Sequence, residues 1–143
     1  MTPDAGRHED EDAHSLRQAA ERFLAAVKGR DEKAFDAFVD ASAPLTALLP
    51  GAPPVTDAST FRRSQQSWFS GTTGRFDYAI ERAEASGNLG FAWVRVTYAN
   101  ADPRGVPFRW TLYLTLVFRH RDGRWFLTHD QNTVVSDSRE VTE

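Results

Sequence analysis

From Phe108 to Thr133 the chain alternates with a period of two. Phe108, Trp110, Leu112, Leu114, Leu116 and Phe118 form one apolar series, and Trp125, Leu127, His129, Gln131 and Thr133 continue the rhythm after an interruption. A helix would scatter these residues around its surface, whereas a strand places them on one face. The interruption, His120-Arg121-Asp122-Gly123-Arg124, contains Asp-Gly, the pair that best tolerates the positive φ angles of a tight hairpin. The stretch therefore reads as two antiparallel strands with one face to be covered. Its second strand turns polar at His129-Asp130-Gln131-Asn132, where a core strand would stay apolar, and this makes it the first candidate for chemistry.

The rest of the chain supplies the cover. An apolar stripe at helical spacing, Leu16, Ala20, Phe23, Leu24 and Val27, follows Ser15 and Gln18, a possible capping box. Gly29 closes this helix. Asp31 caps a short second one carrying Ala34, Phe35, Phe38 and Val39, and Pro44 ends any continuation. Leu45 to Leu49 reads as a short strand, and a third helix runs from about Asp57 or Ser59 to about Phe69. Two further strands, Phe76 to Glu81 and Phe91 to Tyr98, precede the hairpin. With 143 residues the chain has room for one domain and one core. Residues 15–135 are expected to form it, with 1–14 as a disordered acidic tail and 136–143 as a polar tail.

Composition narrows function by exclusion. There is no cysteine, which removes thiol catalysis, zinc–thiolate and iron–sulfur sites. A net charge of −3 argues against a general nucleic-acid binder. No apolar run reaches the roughly 18 residues of a membrane span, and the start lacks an apolar signal-peptide core. A cytoplasmic location is expected. The strands are apolar on both faces: Val94, Val96 and Tyr98 oppose Phe91 and Trp93, while Tyr113 and Val117 oppose the leucines. Helices can cover one face only, so the outer face is expected to be a homodimer interface.

The segment Asp122-Gly123-Arg124-Trp125-Phe126-Leu127-Thr128-His129-Asp130-Gln131-Asn132-Thr133 resembles the terminal strand of the nuclear transport factor 2-like superfamily, in its SnoaL-like and ketosteroid isomerase-like branch. There the pattern is Gly-x-Trp followed by His-x-His-x-Ser. Gly90-Phe91-Ala92-Trp93-Val94, the turn through Gly29-Arg30-Asp31, and Phe61 to Phe69 extend the resemblance over Ser15 to Thr133. It implies an α+β fold, a cone or barrel in which three N-terminal helices pack on a strongly curved, mixed but mainly antiparallel sheet enclosing a pocket. It also implies a cofactor-independent isomerase, dehydratase or cyclase acting on a hydrophobic carbonyl or polyketide-like substrate. A non-catalytic ligand-binding or structural dimer of the same fold is the alternative. Two positions depart from the pattern. Gln131 replaces the second histidine, and the base carboxylate of the isomerases corresponds to the apolar Leu48-Leu49-Pro50.

Strict alternation places His129 and Gln131 on one face with Trp125 and Leu127, which the resemblance implies is the pocket side. His129 is then the candidate acid or base and Gln131 an orienting group. A histidine merely held by neighbouring hydroxyls is the competing reading. The same alternation puts Asp130 on the outer face, to be catalytic only if a bulge re-aims it. Trp68, Gln65, Tyr78, Trp110 and Leu127 are the expected substrate contacts, with Tyr78 preferred to Tyr98 and Tyr113 as hydroxyl donor. No cofactor and no metal site are expected, because His129 has no second ligand at metal spacing. A hydrophobic small molecule is the expected ligand, with neither nucleic acid nor membrane as partner.

Overall fold

The computed structural model describes residues 3–139, with side chains from Glu11 onward. Helix α1 (Pro3–Lys28) buries the predicted stripe, with Leu16, Ala20 and Leu24 fully enclosed. Its backbone is helical from Pro3, so the helix enters the stretch read as a loose leader. The chain reverses at Gly29-Arg30 into α2 (Glu32–Asp36), whose Asp31 cap accepts a hydrogen bond from the Ala34 amide. After β1 (Thr46–Leu48), the expected third helix is broken at Gln65 into α3 (Ala58–Ser64) and α4 (Gln66–Ser70). Four long strands follow: β2 (Arg75–Ser86), β3 (Leu89–Ala101), β4 (Pro107–Arg121) and β5 (Arg124–Asp137). Ser136 and Asp137, assigned to a tail from sequence, belong to β5; residues 140–143 of that tail, like Met1 and Thr2, lie outside the described residues.

The strands form one sheet in the order β1-β5-β4-β3-β2. β1 runs parallel to β5 and the other pairs are antiparallel. At the β4–β5 turn Asp122 and Gly123 have φ of 54° and 76°, the positive pair that a two-residue hairpin requires. The mixed, mainly antiparallel α+β layering agrees with expectation, but the cone or barrel does not. The two ends of the strand order, β1 and β2, do not pair with each other, and beyond β1 there is only the isolated Ala47–Val55 bridge. The sheet is open and is not the strongly curved or closed surface anticipated. Because one helical layer already covers its inner face, the core can form without closure.

That core lies between α1, α2, α3 and the inner sheet face. Phe23 is its aromatic hub, with ring centroids 5.2 Å from Phe35, 5.6 Å from Phe38 and 6.0 Å from Phe118. Close approach of α1 to β3 requires Gly90: a Cβ there would stand 2.8 Å from both the Ala85 Cβ and the Glu84 carbonyl oxygen, and 3.0 Å from Leu16 Cγ. Among the described residues no helix is long and apolar enough to cross a membrane.

One irregularity decides where the site falls. In the β4–β5 ladder Phe118 pairs with Leu127 but Val117 pairs with His129, so Thr128 is an extra, unpaired residue. Such a bulge exchanges the inward and outward series of the bulged strand from that point on. Trp125 and Leu127 face the core. Beyond the bulge Asp130 is the buried residue, and His129 moves to the other face.

Candidate active site

A pocket of about 450 Å³ opens between the helical layer and the inner sheet face. Phe23 and Val27 of α1, and Phe35 of α2, line the helical side. Leu49 and Pro50 follow β1, Gln65, Ser67 and Trp68 come from the α3–α4 segment, and Val96, Tyr98, Trp110, Leu112 and Leu114 form the sheet wall. Asp130 and Asn132 complete the lining from β5. This size suits a small organic ligand, and a mostly apolar wall with few polar groups is the usual composition of such sites.

Asp130 is the one buried charged or polar residue of the described core, at 7% exposure. Asn132 Nδ2 donates to its Oδ1 at 3.0 Å and to the Leu48 carbonyl oxygen at 3.2 Å. Burial pushes the Asp130 pKa up to about 7, against the smaller opposing effect of the Asn132 hydrogen bond. A carboxyl in an apolar wall pays for its charge by holding its proton. Near neutral pH the group can therefore both donate and accept a proton, which is the condition for efficient acid–base work. Asp130 also stands opposite Ala47 in the β1–β5 pairing. Its carboxyl thus lies beside the Leu48-Leu49-Pro50 segment, where the resemblance implied a base and the sequence shows none.

The structure separates the four residues of the polar quartet. His129 does not line the pocket, contrary to the strict alternation. It shares a 2.7 Å hydrogen bond with Thr46 Oγ1 through Nδ1, and its Nε2 lies 3.3 Å from Gln131 Oε1. Both ring nitrogens of His129 are thus engaged by neighbouring polar side chains on this face. Gln131 is exposed beside it. Asp130, expected outside, and Asn132 are the inward pair. The bulge at Thr128 is the cause.

Of the expected ligand contacts, Trp68, Gln65 and Trp110 line the pocket, whereas Tyr78 and Leu127 do not. Leu127 is buried in the core. Tyr78 donates its hydroxyl to Glu21 at 3.2 Å, and its pKa is raised by burial and by that carboxylate. The pocket tyrosine is Tyr98, which shares the inward face with Val94 and Val96, a grouping already visible in the alternation. Its oxygen accepts from Asn100 Nδ2 at 2.7 Å, so its O–H stays available to donate. Trp110 packs between Tyr98 and Phe108, at centroid distances of 5.7 and 5.4 Å. Its buried indole N–H lacks a hydrogen bond of acceptable geometry, although it lies near enough to help hold Asp137 acidic, after the larger effect of Arg139.

Among the described residues no lysine, arginine or histidine lines the pocket. Two arginines touch its aromatic walls and both are engaged elsewhere: Arg30 stacks on Trp68 while binding backbone carbonyls, and Arg139 stacks on Phe108 while paired with Asp137. Among the described residues no three His, Cys, Asp or Glu side chains gather where they could hold a metal ion.

The SnoaL-like domain family matches residues 16–136. This chain belongs to that family, and its fold is that of the NTF2-like superfamily with its SnoaL-like and ketosteroid isomerase-like branches. No curated protein matches the sequence significantly. Among solved structures, a ketosteroid isomerase-like protein from Erwinia carotovora atroseptica superposes with a TM-score of 0.72 at 19% identity, covering 88% of this chain and 98% of that one. An NTF2-like protein of unknown function from Pseudomonas putida gives 0.69 at 18% identity, with 91% of each chain covered. The association domain of C. elegans CaMKII gives 0.65 at 15%, covering 88% and 98%. At these identities the likeness is one of fold, and the same architecture carries unrelated roles.

Proposed function

We propose that the pocket binds an uncharged, ring-containing small molecule with a carbonyl-type oxygen, and that Asp130 moves a proton on it without a cofactor. The observation that carries this reading is a buried carboxyl, the one such group among the described lining residues, poised near neutrality in a mostly apolar cavity. In its ionised form Asp130 takes a proton from the carbon beside the carbonyl. The Tyr98 hydroxyl hydrogen-bonds the oxygen on which charge develops. Return of the proton to another carbon completes an isomerisation, and its delivery to a departing hydroxyl completes a dehydration. Trp68, Trp110 and Gln65 position the rings. The ketosteroid isomerase-like structural relative is consistent with this class of chemistry.

The second reading, a non-catalytic binding protein of the same fold, draws on the lining itself, which among the described residues holds one carboxyl and no histidine to share the work. In either case two copies associate through the outer sheet face, where Trp93 is 42% exposed and packs at 5.6 Å from Tyr113. Sedimentation at micromolar concentration separates this dimer from a monomer, and a monomer would refute it.

The charge of the ligand is the sharpest test. With no cation in the lining among the described residues, a bound carboxylate would face Asp130 unpaired in a mostly apolar site. Neutral 2-acetylnaphthalene should raise the melting temperature, because selective binding to the native state stabilises it. The equally shaped 2-naphthoate should bind at least tenfold more weakly, and weaker still at pH 8 than at pH 6. Equal affinities, or a preference for the anion, would refute the assignment.

A further inference from the structure

The wall formed by Gln65 to Gly74 is unlike the others. The sheet and the buried face of α1 cannot move without opening the core, but α4 buries no residue at all. Trp68 is only half-buried, yet its ring closes that side of the pocket. One side chain from outside the segment makes most of its polar ties. Arg30, in the turn between α1 and α2, donates from Nε to the Trp68 carbonyl oxygen at 3.0 Å. Its terminal nitrogen reaches the Thr73 and Gly74 carbonyl oxygens, the latter at 3.2 Å. The guanidinium also lies 3.7 Å from the centre of the Trp68 ring. A single planar fork thus ties both ends of the segment together and stacks on its tryptophan, a combination that lysine cannot reproduce.

Local geometry is adapted to this clamp. Arg30 itself has φ of 54°, a conformation unusual for a residue with a side chain. Gly74 has φ of 92°, and a Cβ there would approach the Trp68 ring and Asn100 Nδ2 to 3.1 Å and the Tyr98 hydroxyl to 3.2 Å. The remaining ties are few: Trp68 Nε1 donates to the Val27 carbonyl oxygen at 2.6 Å, Gln66 reaches Glu32 at 3.0 Å, and Phe69 packs on Phe35 at 4.8 Å.

We infer that Gln65–Gly74 is the gate through which ligand enters the pocket and that Arg30 is the positioning residue that latches it. This rests on the reading of the pocket as a ligand site. The latch itself is measured without any ligand.

Hydrogen exchange of the whole chain, compared with Arg30→Gly and Arg30→Lys, provides that measurement. Glycine favours the positive φ at this position, so the first variant removes the side chain without straining the turn. Amides of residues 65–75, including those of Trp68, Phe69 and Gly71 that bond within the segment, should exchange at least tenfold faster in Arg30→Gly. Lysine should rescue part of this protection, and β3, β4 and β5 should stay within twofold of the parent. Unchanged protection at 65–75, or an increase spread evenly over the chain, would overturn the latch. Stopped-flow binding of 2-acetylnaphthalene then tests the gate. Association and dissociation rates should both rise in Arg30→Gly, with little change in their ratio, whereas unaltered rates would overturn it. A failure of that probe to bind the parent protein would instead count against the ligand reading, leaving exchange to decide the latch.

Discussion

Asp130→Asn should make the protein more stable than the parent at pH 8 and remove a pH dependence that the parent shows between pH 4 and 7. The folded-state pKa of Asp130 is about 7 against 3.8 for the free side chain. Folding therefore favours the protonated form. Its full contribution is present below pH 4 and is lost as pH rises through 7. A difference of about three units corresponds to about 4 kcal/mol in all, of which roughly 3 kcal/mol falls between pH 5 and pH 8. Asparagine keeps an oxygen for Asn132 to donate to but cannot ionise, so the gap in stability between variant and parent should widen by that amount over the interval. Asp57, Asp77, Asp102 and Asp137 are shifted the opposite way, chiefly by hydrogen bonds that hold their charged forms. They titrate below this window, and their contributions cancel in the comparison. Urea unfolding of both proteins at pH 5 and pH 8 supplies the numbers, and parallel pH profiles would contradict the buried-acid account. Where a substrate is in hand, the same variant should lower turnover by about 10²–10⁴. Gain of stability with loss of turnover is the trade expected of a group kept in an unfavourable place for its chemistry.

Phe35→Ala should cost about 3–5 kcal/mol, the usual result of emptying a large aromatic site that cannot collapse. Phe35 is 2% exposed and sits between layers: its ring centroid is 5.2 Å from Phe23, 5.8 Å from Phe61 and 4.8 Å from Phe69. These rings come from α1, α3 and α4, so the hole would lie where three elements meet. Aromatic packing beyond area burial adds to the loss. In a domain of this size the effect corresponds to a fall in melting temperature of roughly 10–15 °C. Phe35→Leu, which refills much of the volume, should recover more than half of it. A loss below about 1 kcal/mol in the alanine variant would mean that the aromatic hub does not organise the core as described. Phe35 also lines the pocket, so the alanine variant should accept a bulkier naphthalene ketone than the parent does.

Much of this was legible before any coordinates. The Phe108–Thr133 alternation specified the hairpin, and the helical stripe from Leu16 to Val27 specified what covers it, because both are repeated signals that a single substitution does not erase. Trp68, Gln65 and Trp110, expected as ligand contacts, line the pocket, and their contact with a ligand remains part of the proposal. Sheet closure was not legible. The resemblance implied a cone, but whether a sheet closes depends on pairing between its edges, and β1 contributes only three residues to one edge. Which member of the polar quartet would be buried was not legible either. One unpaired residue, Thr128, converts an outward Asp130 into the buried one and an inward His129 into a partner of Thr46. A threonine in a β-strand is ordinary by composition, so period-two reasoning has no warning of the slip. Tyr98 alternates with Val94 and Val96 and shares their inner face, whereas Tyr78, the expected hydroxyl donor, is tied to Glu21.

The central claim is that Asp130 is a buried acid poised near neutrality on the pocket wall. The side-chain carboxyl ¹³C resonances of the aspartates, followed by NMR from pH 3 to 9, test it directly, with Asp130→Asn identifying the signal in question. The account predicts a midpoint near 7 for Asp130, with Asp57, Asp77, Asp102 and Asp137 all shifted below the ordinary aspartate value by their hydrogen bonds. A midpoint near 4 for Asp130 would show a solvated carboxylate and contradict the proposed site.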